Sequence, residues 1–193
     1  MKDLLRELRI SIVATIVLAL ILCAVYPAIV WGVAQALFPE KANGSLIFRN
    51  GKIIGSKLIG QNFTDAKYFH PRPSAAGNSG YDATSSGGSN LGPTSRKLID
   101  SIKERVDAYR QENNLSPSIQ IPADAVTASA SGLDPHISVK NALLQANRVA
   151  KARGISEKAV LSKIEANTKG RDLAIFGEPR VNVLTLNLSL DAN

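Results

Sequence analysis

The sequence predicts an α+β protein in which a single apolar N-terminal helix precedes one mixed domain. Three observations predict it: an uncharged run at residues 10–38, a strong hairpin signal near residue 50, and capped helical patterns between residues 94 and 170. About 155 residues follow the apolar run, enough for one domain with its own core. We therefore expect a basic tail at 1–9, a helix at 10–38, and a domain at 39–193 with a small, mostly antiparallel sheet and several helices.

The apolar run is long enough to cross a membrane, because a span needs about 20 apolar residues. Tyr26 and Trp31 are residues of the kind that anchor a helix at the membrane interface. Pro27 is expected to kink the helix or to begin its end. A cleaved signal peptide is the alternative, since Ala34 and Ala36 form an Ala-x-Ala site, but its apolar core would span only about 7–15 residues. The sequence favours an uncleaved, single-pass anchor.

The orientation of this anchor follows from the charges on its two sides. Three bases precede the run and three follow it closely: Lys2, Arg6, Arg9, Lys41, Arg49 and Lys52. Together with the α-amine, the first group is slightly in excess, and the rule that positive charge stays inside predicts a cytoplasmic N-terminus. The main domain would then be extracytoplasmic.

The charge of the chain limits its partners. The formal net charge is +7, and because the first nine residues hold three bases and two acids, the remainder carries +6. Such a domain suits anionic lipid or acidic protein surfaces. Nucleic acid is excluded as a partner, because the bases are scattered and only 5% of residues are aromatic. Cys23 is the only cysteine and lies in the apolar run, so the domain can form no disulfide.

Strand signals lie at both ends of the domain. Asn50-Gly51 between two apolar segments is typical of a β-hairpin. The alternating leucines at 184–190 predict a strand at 181–190, which should pair with that hairpin. Between them, residues 74–93 form a Ser, Gly and Asn-rich stretch, and loops of that length are usually functional or disordered.

Helix signals lie in the middle of the domain. Thr94 or Ser95 is expected to cap a helix that runs to about Asn113, and residues 122–126 to form one short turn. Ser138 should begin a helix that ends at Gly154 and turns Val139, Leu143, Ala146 and Val149 or Ala150 inward; Ser156 should begin another that ends near Thr168.

Two strings of small residues are the candidate binding segments. The first runs into a helix N-terminus, where a docking loop or an anion site is physically possible; its candidate residues are Gly87, Gly88, Ser89, Asn90, Leu91, Gly92 and Thr94. The second has small residues that allow close backbone approach; its candidates are Thr127, Ser129, Ser131, Gly132, Asp134 and His136. We expect both strings to act as docking surfaces.

Catalytic and metal chemistry find little support in the sequence. There is no G-x-S-x-G elbow, no S-x-x-K motif and no cysteine nucleophile outside the apolar run. His70 and His136 are the only histidines, and they lack any recognised spacing of metal ligands. Asp134 and His136 are better explained as turn residues before the helix at Ser138. We expect no catalytic residue, no metal site and no tightly bound cofactor.

Several uncommon strings occur in order along the chain. They are Asn43-Gly-Ser-Leu-Ile47, Leu58-Ile-Gly-Gln-Asn-Phe63, Tyr68-Phe-His-Pro-Arg-Pro-Ser-Ala75, Ser86-Gly-Gly-Ser-Asn-Leu-Gly-Pro-Thr94, Val126-Thr-Ala-Ser-Ala-Ser-Gly-Leu-Asp-Pro-His-Ile-Ser138 and Arg148-Val-Ala-Lys-Ala-Arg153. In this combination the chain resembles the KdpC family, the C subunit of the bacterial potassium-transporting Kdp ATPase. The resemblance covers the anchor and nearly all of the domain.

The resemblance implies a non-catalytic subunit of an ATP-driven potassium import complex in the bacterial inner membrane, with its main domain in the periplasm. The partners it implies are a channel-like subunit that carries potassium, a P-type ATPase subunit that uses ATP, and a small additional membrane subunit. It also implies a catalytic chaperone that raises the ATP affinity of the P-type subunit. An outer domain and a cytoplasmic nucleotide lie on opposite sides of the bilayer, however, so we favour a brace at the outer mouth of the channel-like subunit. The alternative is an anchored extracytoplasmic binding or sensor module.

Overall fold

The computed structural model describes residues 2–192, with the side chains of residues 3–192. Met1 and Asn193, the first residue of the predicted tail and the last residue of the predicted domain, lie outside the described residues. The chain forms two compact units, of which the first ends at Ile54 and the second begins at Gly55. It has helices and two small antiparallel sheets, which confirms the α+β class.

The first unit begins with one long helix. It consists of α1 (Lys2–Ala19), a π-helical segment (Leu20–Val25) and α2 (Tyr26–Leu37). Residues Asp3–Leu37 form the one described helix that is long and apolar enough to cross a membrane. At 1.5 Å per residue, 35 residues extend about 52 Å, more than the roughly 30 Å of a hydrocarbon core.

The π-helical segment lies immediately before Pro27. The ring of a proline inside an α-helix clashes with the carbonyl four residues earlier, which here belongs to Cys23. The structure widens the turn at this point, and the Tyr26 amide donates instead to the Ile21 carbonyl, five residues back. The helix therefore continues through Pro27 to Leu37, and the expectation that Pro27 begins its end is wrong.

A hairpin follows a single helical turn, α3 (Pro39–Ala42). Strands β1 (Leu46–Arg49) and β2 (Lys52–Ser56) form a two-stranded sheet. Asn50 and Gly51 both have positive φ, 51° and 75°, as the tight turn of a two-residue hairpin requires. The hairpin predicted from Asn50-Gly51 is confirmed.

The second unit contains a long irregular segment, residues 57–95, followed by most of the regular structure. Its elements are α4 (Arg96–Glu112), α5 (Ala123–Val126), β3 (His136–Ser138), α6 (Val139–Arg153), α7 (Glu157–Ala166), β4 (Thr168–Lys169), β5 (Arg180–Asn182) and α8 (Val183–Asp191). Ser95, Ser138 and Ser156 accept hydrogen bonds from the first turns of α4, α6 and α7. The helices predicted from these caps are confirmed, and Gly154 ends α6 with φ at 65°.

The second sheet has the order β3-β5-β4, and both pairings are antiparallel. Ile137 pairs with Val181, and Val181 also pairs with Thr168. The expected pairing of the last strand with the hairpin at residue 50 is wrong, because β5 pairs on both sides within the second unit. Strand β3 lies directly before α6, and β5 follows α7 and β4 in the chain. Their pairing therefore brings together the segments before and after these two helices.

The C-terminal segment is a helix where the alternating leucines predict a strand. Only residues 180–182 are extended, and α8 starts directly after them. Asn182 caps α8, since its side chain accepts a hydrogen bond from the Thr185 amide at 3.1 Å. The buried side chains follow helical spacing: Val183, Leu184, Leu186, Asn187 and Leu190. The packing of this helix face against the core therefore decides the structure, although the leucines alternate as in a strand.

The core of the second unit lies between the helices and the β3-β5-β4 sheet. Its fully buried members include Phe69, Ala146, Val149, Val160, Ile164, Val181 and Leu186. Leu143, expected to face inward from α6, is 48% exposed. The inward positions beside it are polar, because Asn141 and Gln145 are almost completely buried.

Candidate docking surface

The two predicted docking strings lie against one another in the second unit. The Gly87 amide donates to the Ser131 carbonyl at 2.9 Å, and the Ser86 hydroxyl donates to the same carbonyl at 3.0 Å. A side chain at Gly88 would lie 2.9 Å from the Ala130 carbonyl oxygen. The start of the first string and the middle of the second therefore form one continuous surface, although 40 residues separate them in sequence.

Gly132 lies at the centre of this contact. Its φ is 66°, a conformation that side chains rarely adopt. A Cβ at this position would also lie 2.7 Å from the Cβ and amide nitrogen of Ala76 and 2.7 Å from the carbonyl oxygen of Gly87. Only glycine satisfies both the backbone conformation and the available space, so Gly132 sets how closely the strings approach.

Ser74 connects the surface to the rest of the irregular segment. Its hydroxyl donates to the Gly132 carbonyl at 2.6 Å and accepts from the Tyr81 amide at 2.8 Å. The Tyr81 hydroxyl donates in turn to the Arg72 carbonyl at 2.8 Å. Burial raises the pKa of the Tyr81 hydroxyl, so it remains a neutral donor. These bonds shape residues 72–81 around the second string.

Asp134 and His136 form a turn at the end of the second string. Asp134 accepts from the His136 amide at 3.0 Å and pairs with the Arg72 guanidinium at 2.9 Å. Burial raises the pKa of Asp134, but the hydrogen bonds from His136 and Arg72 outweigh it and leave that pKa below its usual value. The carboxylate is therefore charged at neutral pH, and it holds the chain as it enters β3.

The remaining candidate residues differ in exposure. In the first string, Ser89, Asn90, Gly92 and Thr94 are exposed, while Leu91 is half-buried. In the second string, Ser129 is buried, Thr127 is half-buried and Ser131 is exposed. Most of the exposed residues thus lie at the end of the first string, next to the Ser95 cap of α4. The anchor residues Tyr26 and Trp31 are 63% and 67% exposed in the first unit.

A buried polar network behind this surface escaped the sequence predictions. The Gln145 side chain accepts from the His70 amide and from Arg148, each at 2.7 Å, and donates to the His70 carbonyl at 3.1 Å and to Asn141 at 2.9 Å. His70 also lies 2.7 Å from Glu112, and the hydrogen bond from His70 lowers the pKa of that carboxyl. This network attaches the irregular segment to α4 and α6. The polar residues at 141, 145 and 148, spaced as one helix face among alanines, are the signal that could have found it.

A cleft of about 290 Å³ lies between the irregular segment and α4. Its lining includes His70, Arg72, Tyr81, Arg105 and Glu112. The charges that line it are mostly paired within the protein, His70 with Glu112 and Arg72 with Asp134. Among the described residues, no three His, Cys, Asp or Glu side chains are grouped so that they could hold a metal ion.

The long apolar helix and the small α+β unit define the class of protein. It has one helix able to cross a membrane, followed by a domain in which two loop segments form a candidate docking surface. Comparison with protein families matches residues 8–192 to KdpC, described as K+-transporting ATPase, c chain. The chain belongs to the KdpC family.

Close relatives carry the same description. A protein of Nitratidesulfovibrio vulgaris is 56% identical over 184 residues, covering 95% of this chain and 93% of the relative. A protein of Mycobacterium tuberculosis is 56% identical over 186 residues, covering 96% and 98%. One from Koribacter versatilis is 52% identical over 186 residues, covering 96% and 94%. Each is named as the KdpC subunit of a potassium-transporting ATPase.

Proposed function

We propose that this chain is a non-catalytic subunit of an ATP-driven potassium import complex. The observation that carries the proposal is the family match over residues 8–192, which includes the apolar run and all but the last residue of the second unit. In this proposal a channel-like partner carries potassium and a P-type partner binds and hydrolyses ATP. A small additional membrane subunit completes the complex, and this chain binds neither a metal nor a cofactor of its own.

The location in the proposal follows from the charges at the N-terminus. The apolar run at residues 10–38 crosses the bacterial inner membrane once, with the N-terminus in the cytoplasm and the second unit in the periplasm. The second unit then braces the outer mouth of the channel-like subunit. Any increase in the ATP affinity of the P-type subunit would be transmitted through assembly of the complex, because the nucleotide is on the other side of the bilayer.

The docking role is assigned to the exposed end of the first string together with the turn at Asp134 and His136. Ser89 and Thr94 are exposed, and no hydrogen bond of theirs within residues 2–192 would be lost on substitution. Gly88 and Gly132, in contrast, maintain the fold of the surface, because a Cβ at either position would lie within 3 Å of backbone atoms. Ser89 and Thr94 are therefore the positions at which docking can be disturbed without unfolding the loop.

The test is a mild-detergent pull-down on the full chain from potassium-starved cells, with S89E/T94E compared with wild type. Two charges placed in a packed interface cost about 3 kcal/mol or more, so the variant should recover the P-type and channel-like subunits about a hundredfold less well. The matched control is S118E/S162E, which places the same charges at exposed serines elsewhere and should bind as wild type does. Equal recovery with all three proteins would contradict the docking role.

The alternative function, an anchored binding or sensor module, predicts that the chain is recovered without partners. An independent binding module should be recovered alone and remain stable without partners, whereas a subunit gains stability from the proteins it binds. Recovery of this chain by itself, folded and monodisperse, would therefore overturn the proposed function.

A further inference from the structure

The most exposed apolar group of the second unit lies on the loop between β4 and β5. Every residue from 170 to 179 is exposed. Within it, Leu173, Ile175 and Phe176 are 83%, 72% and 63% exposed, more than any other large apolar side chain of the second unit. We call residues 173–176 the apolar tip. Exposed apolar groups rimmed by polar residues mark interaction sites.

The tip is held in one conformation. Asp172 and Phe176 exchange backbone hydrogen bonds of 2.8 and 2.9 Å, and the Ile175 amide also donates to the Asp172 carbonyl at 3.2 Å. Leu173 and Ala174 both have positive φ, 53° and 60°. Non-glycine residues in this conformation are strained, and such strain concentrates at binding sites.

Ion pairs close the base of the tip. Asp172 pairs with Lys169 at 3.0 Å and with Arg180 at 2.9 Å, while Arg171 pairs with Glu178 at 2.8 Å. Lys169 and Arg180 form the last pair of β4 and β5, so the tip lies at the loop end of this strand pair. The charges at the base are paired with one another, and the tip therefore requires only an apolar environment from whatever covers it.

The rim distinguishes a protein partner from lipid. Loops that enter a membrane surface carry a collar of bases for anionic headgroups. Here Asp172 and Glu178 pair with all three bases at the base of the tip, which weakens attraction to such a surface. A protein pocket needs no such collar.

The position and size of the tip lead to the same partner. A cleft of about 350 Å³ is lined both by Glu178 and Arg180 at the base of the tip and by Asp134 and His136 of the second string. The tip is therefore continuous with the proposed docking surface. An aromatic side chain buries about 150–250 Å², so three large side chains fall short of the roughly 800 Å² per partner of a stable interface. The tip is too small to hold a second copy alone, but it suits the anchor of a larger interface.

We propose that Leu173, Ile175 and Phe176 insert into an apolar pocket on the outer face of the channel-like partner subunit. This inference rests on the proposed function. It adds a specific hydrophobic anchor to the polar docking surface, and it assigns that anchor to residues that belong to no recognised motif.

The test compares the full-length variant L173S/F176S with wild type in the same pull-down. The variant should lose about tenfold or more of the channel-like subunit, as removal of an interface anchor does. The control L143S/L161S removes one apolar side chain from α6 and one from α7, which are 48% and 37% exposed. It should recover the partner as wild type does. Unfolding temperatures of the three purified chains show that the tip variant is folded.

A photo-crosslinking residue in place of Phe176 identifies what covers the tip without relying on loss of binding. An adduct with the channel-like subunit supports the inference. An adduct with lipid or a second copy, no adduct, or undiminished recovery with L173S/F176S would overturn it while leaving the proposed function standing. Failure of the wild-type chain to recover any partner would instead overturn the proposed function, and this inference with it.

Discussion

Gly132 shows how a single residue determines the geometry of the candidate docking surface. This position has a positive φ, and it lies so close to Ala76 and Gly87 that there is no room for a side chain. The small residues around Gly132 could predict a close backbone approach. They could not predict which glycine was indispensable, because the contact with Ala76 and Gly87 is made by distant parts of the chain.

Substitution G132A should therefore destabilise the chain by more than the cost of its backbone conformation alone. We expect about 3 kcal/mol or more, since strain of about 1–3 kcal/mol at positive φ is joined by an atomic overlap. The measurement is thermal or denaturant unfolding of the detergent-solubilised chain.

Gly154 is the matched control for this substitution. It has nearly the same φ, 65°, but no atom lies within 4 Å of the position of a Cβ. G154A should cost only about 1 kcal/mol. If the two variants were equally stable, the close contact at Gly132 would not be an energetic feature of the fold.

Gln145 shows what the sequence could not reveal at the residue scale. A leucine at 143 and a glutamine at 145 favour Leu143 as the inward residue, yet Leu143 is exposed and Gln145 is buried. Gln145 can be buried because the backbone of His70, 75 residues earlier, satisfies both ends of its amide. No local pattern encodes a partner so distant.

At the scale of elements, the capped helices and the first hairpin were predictable, whereas the three-stranded sheet and the last helix were not. The helix starts at Ser95, Ser138 and Ser156 could be predicted because caps act within three residues. The pairing of β3 and β5 joins residues more than 40 positions apart, and strands of three residues leave almost no periodic signal. The alternating leucines of α8 indicated a strand because helical and strand patterns overlap over so short a segment.

Asn182 decides where β5 ends and α8 begins. Its side chain accepts from the Thr185 amide at 3.1 Å and donates to the Lys57 carbonyl at 2.8 Å. N182A should cost about 2 kcal/mol of unfolding free energy, roughly 1 for the cap and 1 for the second hydrogen bond.

The variant N182S separates these two contributions. Serine retains a capping oxygen but has no amide group to donate to Lys57, so N182S should recover about half of the loss. Chemical denaturation of both variants provides the measurement. If N182A and N182S were equally unstable, capping of α8 would contribute nothing, as expected if the segment were a strand.

At the scale of the whole molecule, the two units have different tasks in the proposed complex. The first contributes a helix whose apolar residues are exposed along its length, and the second contributes a surface of close backbone contacts with an apolar tip beside it. The sequence predicted the apolar helix, which the structure confirms, and it predicted two docking strings, whose role stays a prediction. It missed the tip, because three apolar residues within ten are common and only the fold shows that they project from the sheet.

The central claim is that this chain works as one subunit of a potassium-transporting ATPase. The most direct measurement is native mass spectrometry of the assembly purified through this chain from potassium-starved cells, combined with its potassium-stimulated ATPase activity. We predict a complex of fixed ratio that contains a P-type ATPase and a channel-like membrane protein and hydrolyses ATP. A mass corresponding to this chain alone, without ATPase activity, would contradict the account.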